Sequence, residues 1–394
     1  MIPRARHLVA AALSSALLIL PAWTGVANAT TTATTTAGSA ATTTTGSATA
    51  AASKVYAVPL AKTAADVKKV ADYWKPDRLK QAAPATPGAQ ASSTPSSAGG
   101  AAGPGAPVTS AASAASAASV AAAAKRTAAQ IAAPALPRKG RIAKTIGKVF
   151  FRFGDKEYWC SASAVTARNR SVVATAGHCA YDPRQAKAAE YWIFVPNPGE
   201  NGETPDGIYV GAAISMHEDW SGKGDYDYDY AFVTVHRGFV WTPKDGSYVM
   251  QDVGRLQDNV GGQGLELNRK PGTYTVSAWG YPAGAQPDGS HPFDGKKLWL
   301  CEEGATRWTV APSLDLQKGV QLMACDFSPG ASGGPWLIGY DQTRKLGSLN
   351  GVNSLTWNRD AKGWYDAVSS PYFDTTTGDV YKRAAAQTTP ANVT

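Results

Sequence analysis

Residues 325–340 read "CDFSPGASGGPWLIGY": a cysteine, a stretch rich in Gly, Ser and Pro, and an apolar run of strand length. Gly, Ser and Pro gather in turns for conformational reasons alone. Ser332 is therefore either an ordinary turn serine or a nucleophile displayed on the turn. The second reading requires a histidine base, a carboxylate that orients it, and backbone N–H groups aimed at a developing oxyanion.

Outward from this stretch, short runs rich in Val, Ile, Phe, Tyr and Trp alternate with Gly, Pro, Asn and Asp. They are "KVFFRF" (148–153), "YWCSASAV" (158–165), "SVVATA" (171–176), "YWIFV" (191–195), "YAFVTV" (230–235), "YTVSAWGY" (274–281), "KLWLC" (297–301), "VQLMAC" (320–325), "PWLIGY" (335–340) and "GSLNGVNSL" (347–355). Ten strand candidates with almost no helical periodicity predict an all-β sandwich or barrel arrangement. About 250 residues suit two small barrels side by side better than one. One terminal helix is expected near "GDVYKRAAAQ" (378–387).

The first third of the 394-residue chain has a different texture. Residues 1–29 combine a basic start (Arg4, Arg6, His7), an apolar run from Leu8 to Leu20 and a small-residue end at Ala27-Asn28-Ala29, the pattern of a secretory signal peptide. Residues 30–138 form a low-complexity linker and pro-segment, interrupted by "AADVKKVADYWKPDRLKQA" (64–82), where Val67, Val70, Ala71 and Trp74 fall at helical spacing. Lys125-Arg126 and "PRKGR" (137–141) offer basic processing sites. The strand-rich texture occupies 139–394, with a first barrel expected at about 145–245 and a second at about 255–375.

The net charge of +8 is unevenly spread. Residues 1–138 hold 12 basic and 3 acidic residues, and 139–394 hold 26 and 27. The nearly neutral folded part gives no reason to expect nucleic acid as a partner, and no apolar run reaches membrane-spanning length. All four cysteines, Cys160, Cys179, Cys301 and Cys325, lie in the last 256 residues. In an exported chain lacking CxxC or HxxxH spacing they read as two disulfides rather than a metal site. Three pairings are open, and the sequence-local one, Cys160–Cys179 with Cys301–Cys325, is favoured. No metal or cofactor is expected.

"SVVATAGHCA" (171–180) sets His178 in a small-residue turn after a strand, beside Cys179, whose disulfide would steady the ring as a general base requires. "GDYDYDYAFVTVH" (224–236) offers Asp225, Asp227 and Asp229 at period two, so an extended segment would turn all three to one side. A calcium loop is excluded, because Tyr230 and His236 stand where that loop needs Gly and Glu. Asp225 and Asp227 read as a solvated edge. Asp229 directly precedes the apolar strand Ala231–Val235, where a carboxylate survives only with a partner such as a histidine N–H.

"ATAGHC", "DYAFV" and "GASGGPW", in the order His, Asp, Ser and separated by 51 and 103 residues, resemble the chymotrypsin/trypsin-like serine peptidase family. The similarity is strongest to secreted bacterial trypsin-like peptidases, including relatives of glutamyl endopeptidases. This resemblance implies two perpendicular six-stranded antiparallel β-barrels with the active site between them. It also implies a secreted serine endopeptidase, made as a precursor, acting on protein or peptide substrates; a monomer is expected. Carried over to this chain, Ser332 would attack the scissile carbonyl, His178 would shuttle the proton, Asp229 would hold the imidazole, and the N–H groups of Gly330 and Ser332 would form the oxyanion hole.

Two departures stand out. Ala331 occupies the position where trypsin-like enzymes carry an acid that receives a freed N-terminal amine, and Cys325, seven residues before Ser332, does not fit the trypsin cysteine framework. For specificity, Asp326 lies six residues before Ser332, where the resemblance puts the carboxylate that selects Arg or Lys. Ser354 is the other substrate-binding candidate. Glutamate selectivity would call for a histidine on the strand after the nucleophile, and "GVNSL" (351–355) offers Asn353 and Ser354 instead. A catalytically silent binding or adhesion module of the same fold is the alternative, although no triad residue is missing. An α/β-hydrolase esterase is ruled out by the order of the three residues.

Overall fold

The computed structural model describes residues 54–84, 143–360 and 362–388. The proposed signal peptide (1–29), most of the low-complexity linker and both basic processing sites lie outside the described residues. Among those described, no helix is long and apolar enough to cross a membrane.

Six strands close the first barrel. Around it run Ile146–Phe153, Lys156–Val165, Val172–Thr175, Ala231–Val235, Tyr209–His217 and Glu190–Pro196, which returns to Ile146–Phe153; every pairing is antiparallel. Closure leaves no unpaired edge within the ring, and the β-branched and aromatic runs supply its interior through Val149, Phe151, Val173, Phe194, Ile214 and Val233, all 0% exposed.

The second half is built from two sheets. One orders Gly264–Leu265, Leu346–Val352, Pro335–Asp341, Val276–Gly280 and Trp299–Glu303; the other orders Arg307–Ala311, Leu316–Met323, Ala367–Pro371 and Leu355–Trp357. They share one core, in which Ala278, Trp336 and Ile338 from the first sheet meet Val320, Leu322 and Val368 from the second. All ten expected strands form. Of those absent from the expectation, Tyr209–His217 and Ala367–Pro371 are rich in Gly, Ala and Ser ("YVGAAISMH", "AVSSP"), residues with little intrinsic strand signal.

Both expected helical segments are present. Helix Thr375–Ala386 starts three residues earlier than its periodicity predicts, because Asp374 caps it and forms a capping box with Thr377. It docks on the first barrel, where Thr234 Oγ1 donates to the Ala384 carbonyl and the Phe232 and Tyr381 rings meet at 5.6 Å. The island at 64–82 splits into Ala64–Tyr73 and Pro76–Leu79, since the residue before a proline avoids the helical region and Pro76 suits a new first turn.

This N-terminal stretch wraps the barrel. Strand Val55–Pro59 pairs with Ala213–His217, Ala83–Pro84 pairs with Tyr158–Trp159, and Trp74 is fully buried with its Nε1 donating to the Tyr191 carbonyl. The disulfides are Cys160–Cys179 and Cys301–Cys325, the sequence-local pairing.

Candidate functional site

The 3-10 turn Gly177–Cys179 follows strand Val172–Thr175 and carries His178. Its ring is 3% exposed. Cys179 anchors the turn to Cys160 on the neighbouring barrel strand, with a Cα–Cα distance of 6.2 Å. Asp229, fully buried at the start of Ala231–Val235, holds His178 at two points. Its Oδ1 accepts the His178 backbone N–H at 2.8 Å, and its Oδ2 lies 2.9 Å from the ring Nδ1. A third donor arrives from the second half, where Ser354 Oγ donates to Oδ2 at 2.6 Å. Three donors on one buried carboxylate compensate for the water it has lost.

With Nδ1–H given to the carboxylate, Nε2 carries the lone pair. Nε2 is buried and has no hydrogen-bond partner among the described residues. Ser332 Oγ is not in hydrogen-bond contact with it.

The Ser332 turn is nevertheless fastened to the elements that carry His178. The Ser332 carbonyl accepts the Ser161 N–H at 2.8 Å, one residue from the Cys160–Cys179 link. Gly333, at φ +79°, presses so closely on Thr175 and Ala176 that a Cβ would fall 2.1 Å from Thr175 Oγ1. Gly330, at φ +103°, has a Cβ direction that runs into the Tyr281 carbonyl and the Trp159 ring. Only glycine combines that backbone with that proximity. Around the turn, the Ala331, Gly333 and Gly334 N–H groups all donate to backbone carbonyls. No acceptor for the Gly330 or Ser332 N–H lies among the described residues.

Asp326 is half-buried between Cys325 and the buried Phe327. Its carbonyl accepts Gln286 Nε2 at 2.7 Å, and Gln286 Oε1 accepts the Tyr365 N–H. Ser354, read from sequence as substrate-binding, has its hydroxyl on Asp229. Asn353 is a buried hub: Nδ2 donates to the Trp279 and Ala331 carbonyls, and Oδ1 accepts Trp336 Nε1.

One expectation is corrected. Asp225 and Asp227 are not on a solvated extended edge, because Tyr226–Tyr228 is a 3-10 turn that Asp225 caps. Asp227 reaches across to accept the Gln317 and Lys318 N–H groups at 2.9 and 2.6 Å. Burial pushes both carboxyls above the usual carboxylate range. A cavity of about 230 Å³ opens beside His178, lined by Arg184, Trp220, Lys223, Tyr226 and Asp315 among others. Cys160, His178 and Cys179 cluster closely enough to suggest a metal site, but the two sulfurs are bonded to each other and are not thiolate ligands.

The trypsin family model matches residues 143–374. The chain belongs to the trypsin family. By fold and family it is a trypsin-like serine endopeptidase, a hydrolase. Among solved structures, the trypsin-family chain is similar to a thermostable serine protease, AL20, from an extremophilic microorganism, with 29% identity, TM-score 0.50, and 62% of this chain and 98% of that one covered. It is also similar to the protease Anisep from Arthrobacter nicotinovorans, with 30% identity, TM-score 0.49 and coverage of 62% and 97%. A Glu endopeptidase matches at 15% identity, TM-score 0.44 and coverage of 63% and 93%. No curated protein matches.

Sequence reasoning missed Ser161 and the action of Ser354 on Asp229. Neither residue lies in a motif; the Ser161 hydroxyl meets Gly330 across 169 residues of chain and the Ser354 hydroxyl meets Asp229 across 125.

Proposed function

We propose that this trypsin-family chain is a secreted endopeptidase, made as a precursor, that hydrolyses peptide bonds through an acyl-enzyme on Ser332. As His178 Nε2 takes the hydroxyl proton, Ser332 Oγ bonds to the scissile carbonyl carbon. The carbonyl oxygen becomes an oxyanion facing the Gly330 and Ser332 N–H groups. Collapse of the tetrahedral intermediate breaks the C–N bond, and the leaving amine takes the proton from His178. Water then repeats the sequence in reverse and frees the acid. Asp229 holds the ring in the tautomer this requires, and Ser354 holds Asp229.

The observation that carries this reading is the buried Asp229, donated to by both the backbone and the ring of His178, with Nε2 left unpartnered. The signal-like residues 1–29 and the two disulfides support export. Asp326 is assigned to selecting Arg or Lys at the cleaved position, and the cavity beside His178 would receive residues on the acyl side of the scissile bond.

The test is labelling of the purified protein by an organophosphate, together with peptide hydrolysis. Wild type should be labelled at Ser332, and Ser332→Ala should lose turnover by roughly 10⁴–10⁶. Near-normal hydrolysis by Ser332→Ala would refute the assignment.

A further inference from the structure

Ser161 is completely buried, and its three polar groups are all committed, in four hydrogen bonds. Its N–H donates to the Ser332 carbonyl at 2.8 Å, and its carbonyl accepts Thr175 Oγ1 at 2.9 Å. Its hydroxyl accepts the Tyr281 N–H at 2.9 Å and donates to the Gly330 carbonyl at 2.9 Å. One side chain therefore joins the segment after strand Val276–Gly280 to the turn that carries Ser332.

The Gly330 N–H lies in the Pro329–Gly330 peptide plane, and its alignment with the Ser332 N–H depends also on the following Gly330–Ala331 plane. The carbonyl of Pro329, opposite that N–H across a trans peptide, accepts the Ala283 and Gly284 N–H groups at 2.9 and 2.8 Å. The next carbonyl, that of Gly330, is held by the Ser161 hydroxyl. Glycine populates both signs of φ about equally, so with its carbonyl unheld the Gly330–Ala331 peptide can turn about Gly330 and move the Ser332 N–H out of register with the Gly330 N–H. The backbone contacts at Ala283 and Gly284 secure one side of the residue, and Ser161 Oγ is the side-chain contact that secures the other. Ala331, 1% exposed and apolar, supplies no charge that would do this work.

We propose that Ser161 is a positioning residue for catalysis: its hydroxyl locks the Gly330–Ala331 peptide so that the Gly330 and Ser332 N–H groups face the oxyanion together. Ser161 touches neither substrate nor the reacting atoms and acts through Gly330. The proposal rests on the triad reading above, and the experiment separates the two.

Wild type, Ser161→Ala, Ser161→Thr and Ser161→Val are purified as the secreted protein. For each, kcat and KM are measured on a peptide amide, along with inhibition by a peptide aldehyde, which forms a tetrahedral oxyanion on the serine, and by its reduced-amide analogue, which has no carbonyl. Removing an oxyanion donor outright lowers kcat about 10²–10³-fold, so mispositioning one in Ser161→Ala should lower kcat by roughly 10- to 100-fold with KM changed by less than about twofold. Aldehyde affinity should fall with kcat, while reduced-amide affinity stays constant. Thr and Val are close in volume, so their difference isolates the hydroxyl: Thr should retain the tight aldehyde affinity and Val should lose it.

A folded Ser161→Ala with wild-type kcat and aldehyde affinity overturns the proposal, as does an equal loss of aldehyde and reduced-amide affinity. Loss of folding in Ser161→Ala, which adds no bulk, assigns the hydroxyl to stability and also overturns it. If wild type itself is neither labelled nor active, the triad reading falls first; if wild type is active and the variants match it, only the Ser161 proposal falls.

Discussion

Asp229 grips His178 twice, taking the backbone N–H on Oδ1 at 2.8 Å and the ring Nδ1 on Oδ2 at 2.9 Å. One contact sets where the turn sits and the other sets how the ring is rotated. Asp229→Asn keeps the volume but brings an NH₂ group that cannot accept Nδ1–H, which favours the wrong tautomer. We expect kcat to fall by about 10⁴, the effect of the same substitution in a trypsin-type triad, and the melting temperature to fall as well, because the amide nitrogen faces a donor. A steady-state assay with a melting curve checks both.

Ser354→Ala removes one of the three donors on that carboxylate. Hydrogen bonds to charged groups are worth about 1.5–3 kcal/mol, so this variant should melt earlier than wild type. Its kcat should fall far less than that of Asp229→Asn, because both His178 contacts survive. Equal losses of kcat in the two variants would contradict this division of roles.

Asp227 ties the turn before Asp229 to strand Leu316–Met323 through the Gln317 and Lys318 N–H groups. Asp227→Ala should cost about 1–3 kcal/mol in a denaturant titration, the range for orphaned partners of a charged group. It should leave KM and kcat near wild type. A collapse of kcat without loss of stability would instead move the catalytic carboxylate from Asp229 to Asp227.

Two buried histidines face the wrapped N-terminal stretch. His217 pairs with Val55 across the sheet, and the His236 ring contacts the Ala61 carbonyl at 2.9 Å. Burial holds both below the ordinary histidine range. Below pH about 6.5 the unfolded chain therefore binds protons that the native chain refuses, and stability falls with pH until the native values are reached. Melting temperature should decline from neutral pH toward pH 5. A double variant, His217→Gln with His236→Gln, should show a shallower decline, and an unchanged slope would remove these residues as the cause.

The Cys160–Cys179 disulfide spans 19 residues, and the chain-entropy model values closing such a loop at about 3 kcal/mol. Replacing both cysteines by alanine should lower stability by about that amount. It should also lower kcat, since the link joins the strand of Ser161 to the turn of His178. Activity retained in a destabilised variant would show that backbone contacts alone position the ring.

The sequence by itself determined the β class, the three motifs around His178, Asp229 and Ser332, and the terminal helix, and it favoured cysteine pairs joined over short loops while leaving three pairings open. These features rest on local chemistry: side-chain periodicity, turn residues and short-range order persist whatever the rest of the chain does. Tertiary structure alone decided that "GDYDYDY" coils into a 3-10 turn instead of alternating, because Asp225 finds a backbone N–H two residues on and Asp227 finds two from a distant strand. It also turned the Ser354 hydroxyl onto a carboxylate 125 residues away and closed Ser161 over Gly330 across 169 residues. Nothing local distinguishes Ser161 from Ser163 in "CSAS", or marks Ser354 in "GVNSL" as more than an ordinary serine. A buried hydroxyl takes whichever partner the packed strands bring to it, and that choice exists only once the two halves are folded together.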